Sequence, residues 1–172
     1  IVKKHPKVKL MHQPQRKGKL AAMDRAIATV SSDITVFSDA NAMLNDQALK
    51  KMARHFRNKT VGAVAGEKRV KSTKNENAGN GDGLYWRYES YLKKLDYRLN
   101  TVVGAAGELF ALRTHLFKKP DKAAIIEDFV LTVSIAGEGH RVTYEPEAIA
   151  EEAGSANVSE ELKRKVRISA GG

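Results

Sequence analysis

The sequence predicts an α/β protein with a mainly parallel central sheet flanked by helices. Three observations carry that reading. Strand-like and helix-like stretches alternate through the first half of the chain. The strands are short apolar runs, as in "ITVF" and "VGAVA", which suit burial on both faces. The 172 residues show no internal repeat and no long linker, which fits one domain with a sizeable core.

The elements follow in order. Val8 to Met11 reads as a short strand, closed by Pro14 and Gly18. Leu20, Met23, Ile27 and Val30 recur at helical spacing, so a helix is expected over about 19–30. Ile34 to Phe37 is the next strand. Asn45 or Asp46 can cap the helix that follows, whose apolar stripe is Leu49, Met52, Ala53 and Phe56. Val61 to Ala65 is a buried strand, and the polar, glycine-containing stretch 71–83 reads as a loop. Leu84, Tyr88, Tyr91, Leu92, Leu95 and Leu99 mark a further helix. Glu108 to Leu112 is a strand. Glu127 to Ala136 is a helix with Phe129, Val133 and Ala136 on one face, ended by Gly137 and Gly139. Arg141 to Tyr144 and Ala148 to Glu151 are short strands around Pro146, and Ser159 starts a last helix.

Composition narrows the function. No stretch approaches the roughly 20 apolar residues of a membrane-spanning helix. There is no cysteine, which excludes disulfides and thiolate metal sites. The net charge of +10 favours phosphorylated ligands, polyanions or an anionic surface, without choosing among them. The basic residues are dispersed, so nucleic acid is not the expected partner.

Four stretches can carry chemistry, and each has a simple structural explanation beside it. Asp39 and Asn41 follow a strand, where ligands of open α/β sheets bind. In an extended segment they would face the same way, about 6.5–7 Å apart, and could share a divalent cation. An Asx turn explains the same residues. Arg16-Lys17-Gly18-Lys19 enters a helix, a place suited to an anion, although a solvated basic loop explains it more simply. Glu127-Asp128 opens a helix, where the dipole alone favours acids; a general base at a pocket rim is the alternative. Gly104 to Gly107 precedes a strand as a tight turn or as a place of close approach.

The order of these stretches is more specific than any one of them. "RKGKLAAMDRAI", "DITVFSDANAML", "GAAGELFALRTHLF" and "IIEDFVLTVSIAGEGHRVTYEPEAIAEE" resemble successive motifs of the inverting family-2 glycosyltransferases, especially the processive, membrane-associated members. The resemblance implies the GT-A, nucleotide-diphospho-sugar transferase fold. It implies a hexosyltransferase-like enzyme that moves a sugar from a UDP- or GDP-sugar to a hydroxyl, with inversion, in polysaccharide or cell-envelope glycan synthesis. The acceptor would be a glycan or lipid-linked molecule, and the enzyme would work on the cytoplasmic face of a membrane. A basic, non-catalytic module binding nucleic acid or an acidic polymer is the alternative.

The resemblance also implies roles. Asp128 would be the catalytic base, with Glu127 and Gly107 on the acceptor side. Asp39 and Lys19 would hold the donor diphosphate, and Asp39 with Asn41 would hold Mg or Mn. Asn41 stands where the family's second acid is usual, which leaves that site one charge short. Arg164 and Arg167 lie where relatives carry a QxxRW string that this chain lacks. The first nucleotide-binding strands of the family have no counterpart in the sequence. Residues 1–172 are therefore expected to be a single domain, the C-terminal portion of a GT-A catalytic domain, inactive in isolation.

Overall fold

The computed structural model describes residues 5, 7–15, 17–71, 79–120, 126–153, 162 and 166. A mixed five-stranded sheet lies between helices. In chain order the elements are α1 (Gly18–Ile27), β1 (Ile34–Ser38), β2 (Met43–Leu44), α2 (Ala48–His55), β3 (Val61–Lys71), α3 (Gly79–Leu99), β4 (Leu109–Arg113), a 3-10 turn (Thr114–Leu116), α4 (Glu127–Gly137) and β5 (Arg141–Ala153).

The strand order is β1-β4-β3-β5-β2. β1, β3 and β5 run the same way, as the sequence predicts, but only the β3–β5 pairing is parallel. β4 enters antiparallel between β1 and β3, and β2 is antiparallel to β5. The expectation of a mainly parallel sheet is therefore corrected to a mixed one. The cause lies after α3. That helix returns the chain to the start of β5, where the Val102 amide donates to the Val142 carbonyl at 2.8 Å. The segment 103–108 then runs back along the sheet before β4 begins, so β4 starts where β1 finishes, opposite the middle of β3. Ser38 consequently pairs with Leu109, and Asp39 and Gly107 meet at one edge.

Each sheet face has its own core. Met23 of α1 and Leu131 and Ile135 of α4 pack on Ala63, Ala65, Phe110, Leu112, Val142 and Tyr144. On the other face Ala48, Met52 and Phe56 of α2 cover Val61, Val64, Leu109, Ala111, Ala148 and Ala150. Removing this apolar surface from water is the main stabilising term.

Other local expectations need correction. Residues 8–11 form no strand, and Val8 and Leu10 are exposed; period-2 spacing supplies a strand pattern but not a partner strand. Neither Asn45 nor Asp46 caps α2. The N-cap is Gln47, without a side-chain bond, while the Asn45 side chain joins the Glu147 carbonyl and the Ile149 amide of β5 at 3.0 Å each. Leu49 and Ala53 face solvent, and Ala48, Met52 and Phe56 make the buried stripe. In α3, Tyr88, Tyr91, Leu92 and Leu99 are exposed, and the helix packs through Lys93 and Tyr97. In α4, Phe129 and Val133 are exposed, and Leu131, Thr132 and Ile135 are buried. The two strands around Pro146 are one element, β5, whose register jumps from Tyr144 to Ile149 and so accommodates the missing proline N–H. Residues 79–83 belong to α3 rather than to a loop. Residues 72–78 and most of the expected last helix, including Ser159, Arg164 and Arg167, lie outside the described residues. No helix of the described residues is long and apolar enough to cross a membrane.

Candidate active site

The site gathers at the edge where β1 ends and β4 begins. β1 delivers Asp39 there because Ile34, Thr35, Val36, Phe37 and Ser38 pair residue by residue with β4. The chain then turns at once: the Ala42 amide donates to the Asp39 carbonyl at 3.1 Å. The segment Asp39–Ala42 is thus a β-turn and not extended, so the geometric argument that aims Asn41 alongside Asp39 fails. Asn41 is exposed on that turn.

α1 delivers Lys19 in its first turn. Its N-cap, Lys17, makes no side-chain cap, so the first amides of the helix are left for other acceptors. A 290 Å³ cavity opens there, lined by Gln13, Gln15, Lys17, Gly18, Lys19 and Arg25. A helix N-terminus without a side-chain cap, beside lysine and arginine, favours an anion.

α4 delivers Glu127 and Asp128 in its first turn. Its far end is fixed by a Schellman arrangement. Gly139, at φ +85°, donates to the Ala136 carbonyl at 3.0 Å and His140 donates to the Ile135 carbonyl at 3.2 Å.

These three segments converge on the Lys19 ammonium. Nζ lies 2.8 Å from Asp39 Oδ1 and 3.0 Å from Glu127 Oε1. Burial works against the charge, and the bonds to Asp39 and Glu127 more than offset it, so the ammonium is held above its ordinary pKa. Gly107 sits beneath the cluster. A methyl group placed on it would stand 3.1 Å from Asp128 Oδ2 and 3.2 Å from Lys19 Nζ. Only a residue without a side chain leaves the gap between this carboxylate and this ammonium open.

Asp128 has a distinctive charge state. Burial pushes its carboxyl up to about 6, with the neighbouring Glu127 charge adding to the rise. The amides of Asp128 and Phe129 and the Lys19 charge pull the other way without cancelling it. A carboxylate at about 6 is ionised at neutral pH yet basic enough to take a proton from a hydroxyl in a transition state.

The structure thus brings together Lys19, Asp39, Gly107, Glu127 and Asp128 and leaves Asn41 at the margin. Sequence reasoning missed the Glu127–Lys19 contact, because nothing in either segment signals the other. It also missed the buried Lys68, paired with Glu108 and, at 3.0 Å, with Glu152. Glu108 directly follows Gly107, so this ion pair ties the Gly107 segment to β3 and β5. Charges on successive residues 67–69, directly after the apolar run 61–66, were the available signal.

Asp39 already offers one carboxylate oxygen to a cation. One carboxylate completed by waters and substrate phosphates is a usual arrangement for Mg²⁺-like ions, so the residues fit a divalent metal bound together with its ligand. Among the described residues no three acid or histidine side chains form a ready-made metal cage.

A sequence profile described as "Glycosyltransferase like family 2" matches residues 1–171. The chain belongs to this family. No curated protein matches it. Among solved structures, a mannosyltransferase from Pyrobaculum calidifontis in complex with GDP-Man and Mn²⁺ is 21% identical, with a TM-score of 0.79 over 99% of this chain and 46% of that one. Glucosyl-3-phosphoglycerate synthase from Mycobacterium tuberculosis, in complex with Mn²⁺, UDP-glucose and phosphoglyceric acid, is 17% identical, with a TM-score of 0.54 over 92% of this chain and 52% of that one. Both share its GT-A fold, and the chain spans about half the length of each.

Proposed function

We propose that the convergence of Lys19, Asp39, Glu127 and Asp128 above Gly107 is the reaction centre of an inverting sugar transfer. The donor is a UDP- or GDP-sugar, and the acceptor is a hydroxyl of a glycan or lipid-linked molecule. The work belongs to polysaccharide or envelope-glycan synthesis at the cytoplasmic face of a membrane. The solved relatives with GDP-mannose and UDP-glucose support the donor class.

The acceptor oxygen attacks the anomeric carbon while the bond from that carbon to the diphosphate breaks on the opposite face. Asp128 accepts the acceptor's proton. The diphosphate leaves with the bonding electron pair, and Lys19 and the free amides of α1 stabilise its charge. Asp39, with Asn41 as the second candidate ligand, would hold a Mg or Mn ion that adds Lewis-acid stabilisation of the same charge. Gly107 keeps the approach to Asp128 open.

The observation that carries the reading is Asp128, raised to about 6 and set against Lys19 across the bare face of Gly107. Asp128→Asn keeps the shape and removes the base. In the longest form of the protein that carries these residues, it should cut kcat/KM by about 10²–10⁴-fold with no loss of thermal stability. Turnover within a few fold of the unmutated protein would remove Asp128 from the mechanism.

A further inference from the structure

The arrangement around Lys19 assigns it a second task, which rests on the reading of Asp39 as the donor anchor. We propose that the Lys19 ammonium is the resident cation of the donor site. In the donor-free protein it occupies Asp39 and opposes binding of a divalent metal alone; an arriving diphosphate takes the ammonium and frees Asp39 for the metal.

Three features carry this. The Lys19 ammonium is 2.8 Å from Asp39 Oδ1, one of the two carboxylate oxygens open to a metal ion. A dication placed on Asp39 must either break that ion pair or sit beside a like charge, and both weaken binding. A diphosphate reverses the balance, because its charge attracts ammonium and metal alike. Metal and diphosphate then bind cooperatively, and linkage makes the effect reciprocal.

The second feature is Glu127. Its Oε1 holds the same ammonium at 3.0 Å, so Lys19 keeps one acid when Asp39 is released. Among the described residues these are the two acids within ion-pair distance of Lys19. Glu127 is thereby a positioning residue for Lys19, in addition to its place beside the base. The third feature is mobility without loss of place. Lys19 is anchored in the first turn of α1, and its side chain is 42% exposed, so Nζ can swing while the helix stays fixed.

The test uses Mn²⁺ alone, titrated into the protein and followed by the electron paramagnetic resonance signal of the free ion. Lys19→Met should bind Mn²⁺ about fivefold tighter than the unmutated protein, the scale of a partly exposed ion pair. Lys19→Gln should do the same, and far-UV circular dichroism checks that both variants fold. Adding Asp39→Asn to Lys19→Met should abolish the gain. Unchanged or weaker Mn²⁺ binding in both lysine variants would overturn the proposal, as would a gain that survives Asp39→Asn. Asp39→Asn alone separates this from the underlying reading. If it leaves Mn²⁺ binding in the presence of uridine or guanosine diphosphate untouched, Asp39 is not the donor anchor and both fall. If it removes that binding while the lysine variants show no gain, only the exchange of Lys19 falls.

Discussion

Gly107 shows how one residue joins backbone geometry to chemistry. Its neighbours are the far ends of Asp128 and Lys19, not backbone, and its φ is not positive, so alanine can be accommodated there. Replacing glycine where the backbone is compatible stabilises by about 0.4–1 kcal/mol, through the unfolded chain. The same methyl group would fill the gap between base and ammonium. Gly107→Ala should therefore leave the melting temperature unchanged or slightly raised and lower kcat/KM at least about tenfold, since small misplacements at reacting centres are costly. Full activity in a stable Gly107→Ala protein would show that the gap is not used. At this scale the sequence was informative about identity and silent about partners. Lys19, Asp39, Gly107, Glu127 and Asp128 were all legible from the order of the motifs. That Glu127 holds Lys19 was not, because the contact depends on how α1 and α4 dock. For Asn41 only the extended geometry assumed after the strand failed: a polar pair there fits a turn as well as an extended pair, and the turn formed.

The elements were legible where a strong period met clear punctuation. α4 is the example. Glu127 and Asp128 mark its start, and Gly139 marks its end in a conformation that costs other residues about 1–2 kcal/mol. Gly139→Ala should lower the melting temperature by roughly 2–8 °C, read by thermal unfolding, because at this chain length about 1 kcal/mol corresponds to about 2–4 °C. No change would mean that the left-handed turn does not hold the end of α4. The faces of the helices were less legible than their ends. Periodicity identified an apolar stripe on α3, yet Tyr88, Tyr91, Leu92 and Leu99 are exposed while Lys93 is buried beside Glu89, at 3.0 Å. An apolar stripe states what a helix can bury, not what lies opposite it. In α4 the buried Thr132 turns its hydroxyl back to the carbonyls of Asp128 and Phe129, at 2.9 and 3.0 Å. That satisfied hydroxyl lets a polar residue take a core position that Val133 was expected to fill.

For the whole molecule the class was legible and the pairing was not. Alternating strands and helices predict common strand direction, and β1, β3 and β5 obey. β4 does not, because the chain doubles back through 103–108 before entering the sheet. That reversal is what makes the site: it sets Gly107 against Asp39 at the sheet edge, while the core on one sheet face holds both α1 and α4 over it. The site is thus a product of topology, assembled from segments far apart in sequence, and its most specific property is the proton affinity of Asp128. A base raised to about 6 is ionised above that pH and protonated below it. The most direct test of the account is the pH dependence of sugar transfer, measured as kcat/KM between pH 4.5 and 8. kcat/KM should hold a plateau above about pH 7 and fall along a single acid limb, tenfold per unit, with its midpoint near 6. A rate that stays flat down to pH 4.5 would contradict it.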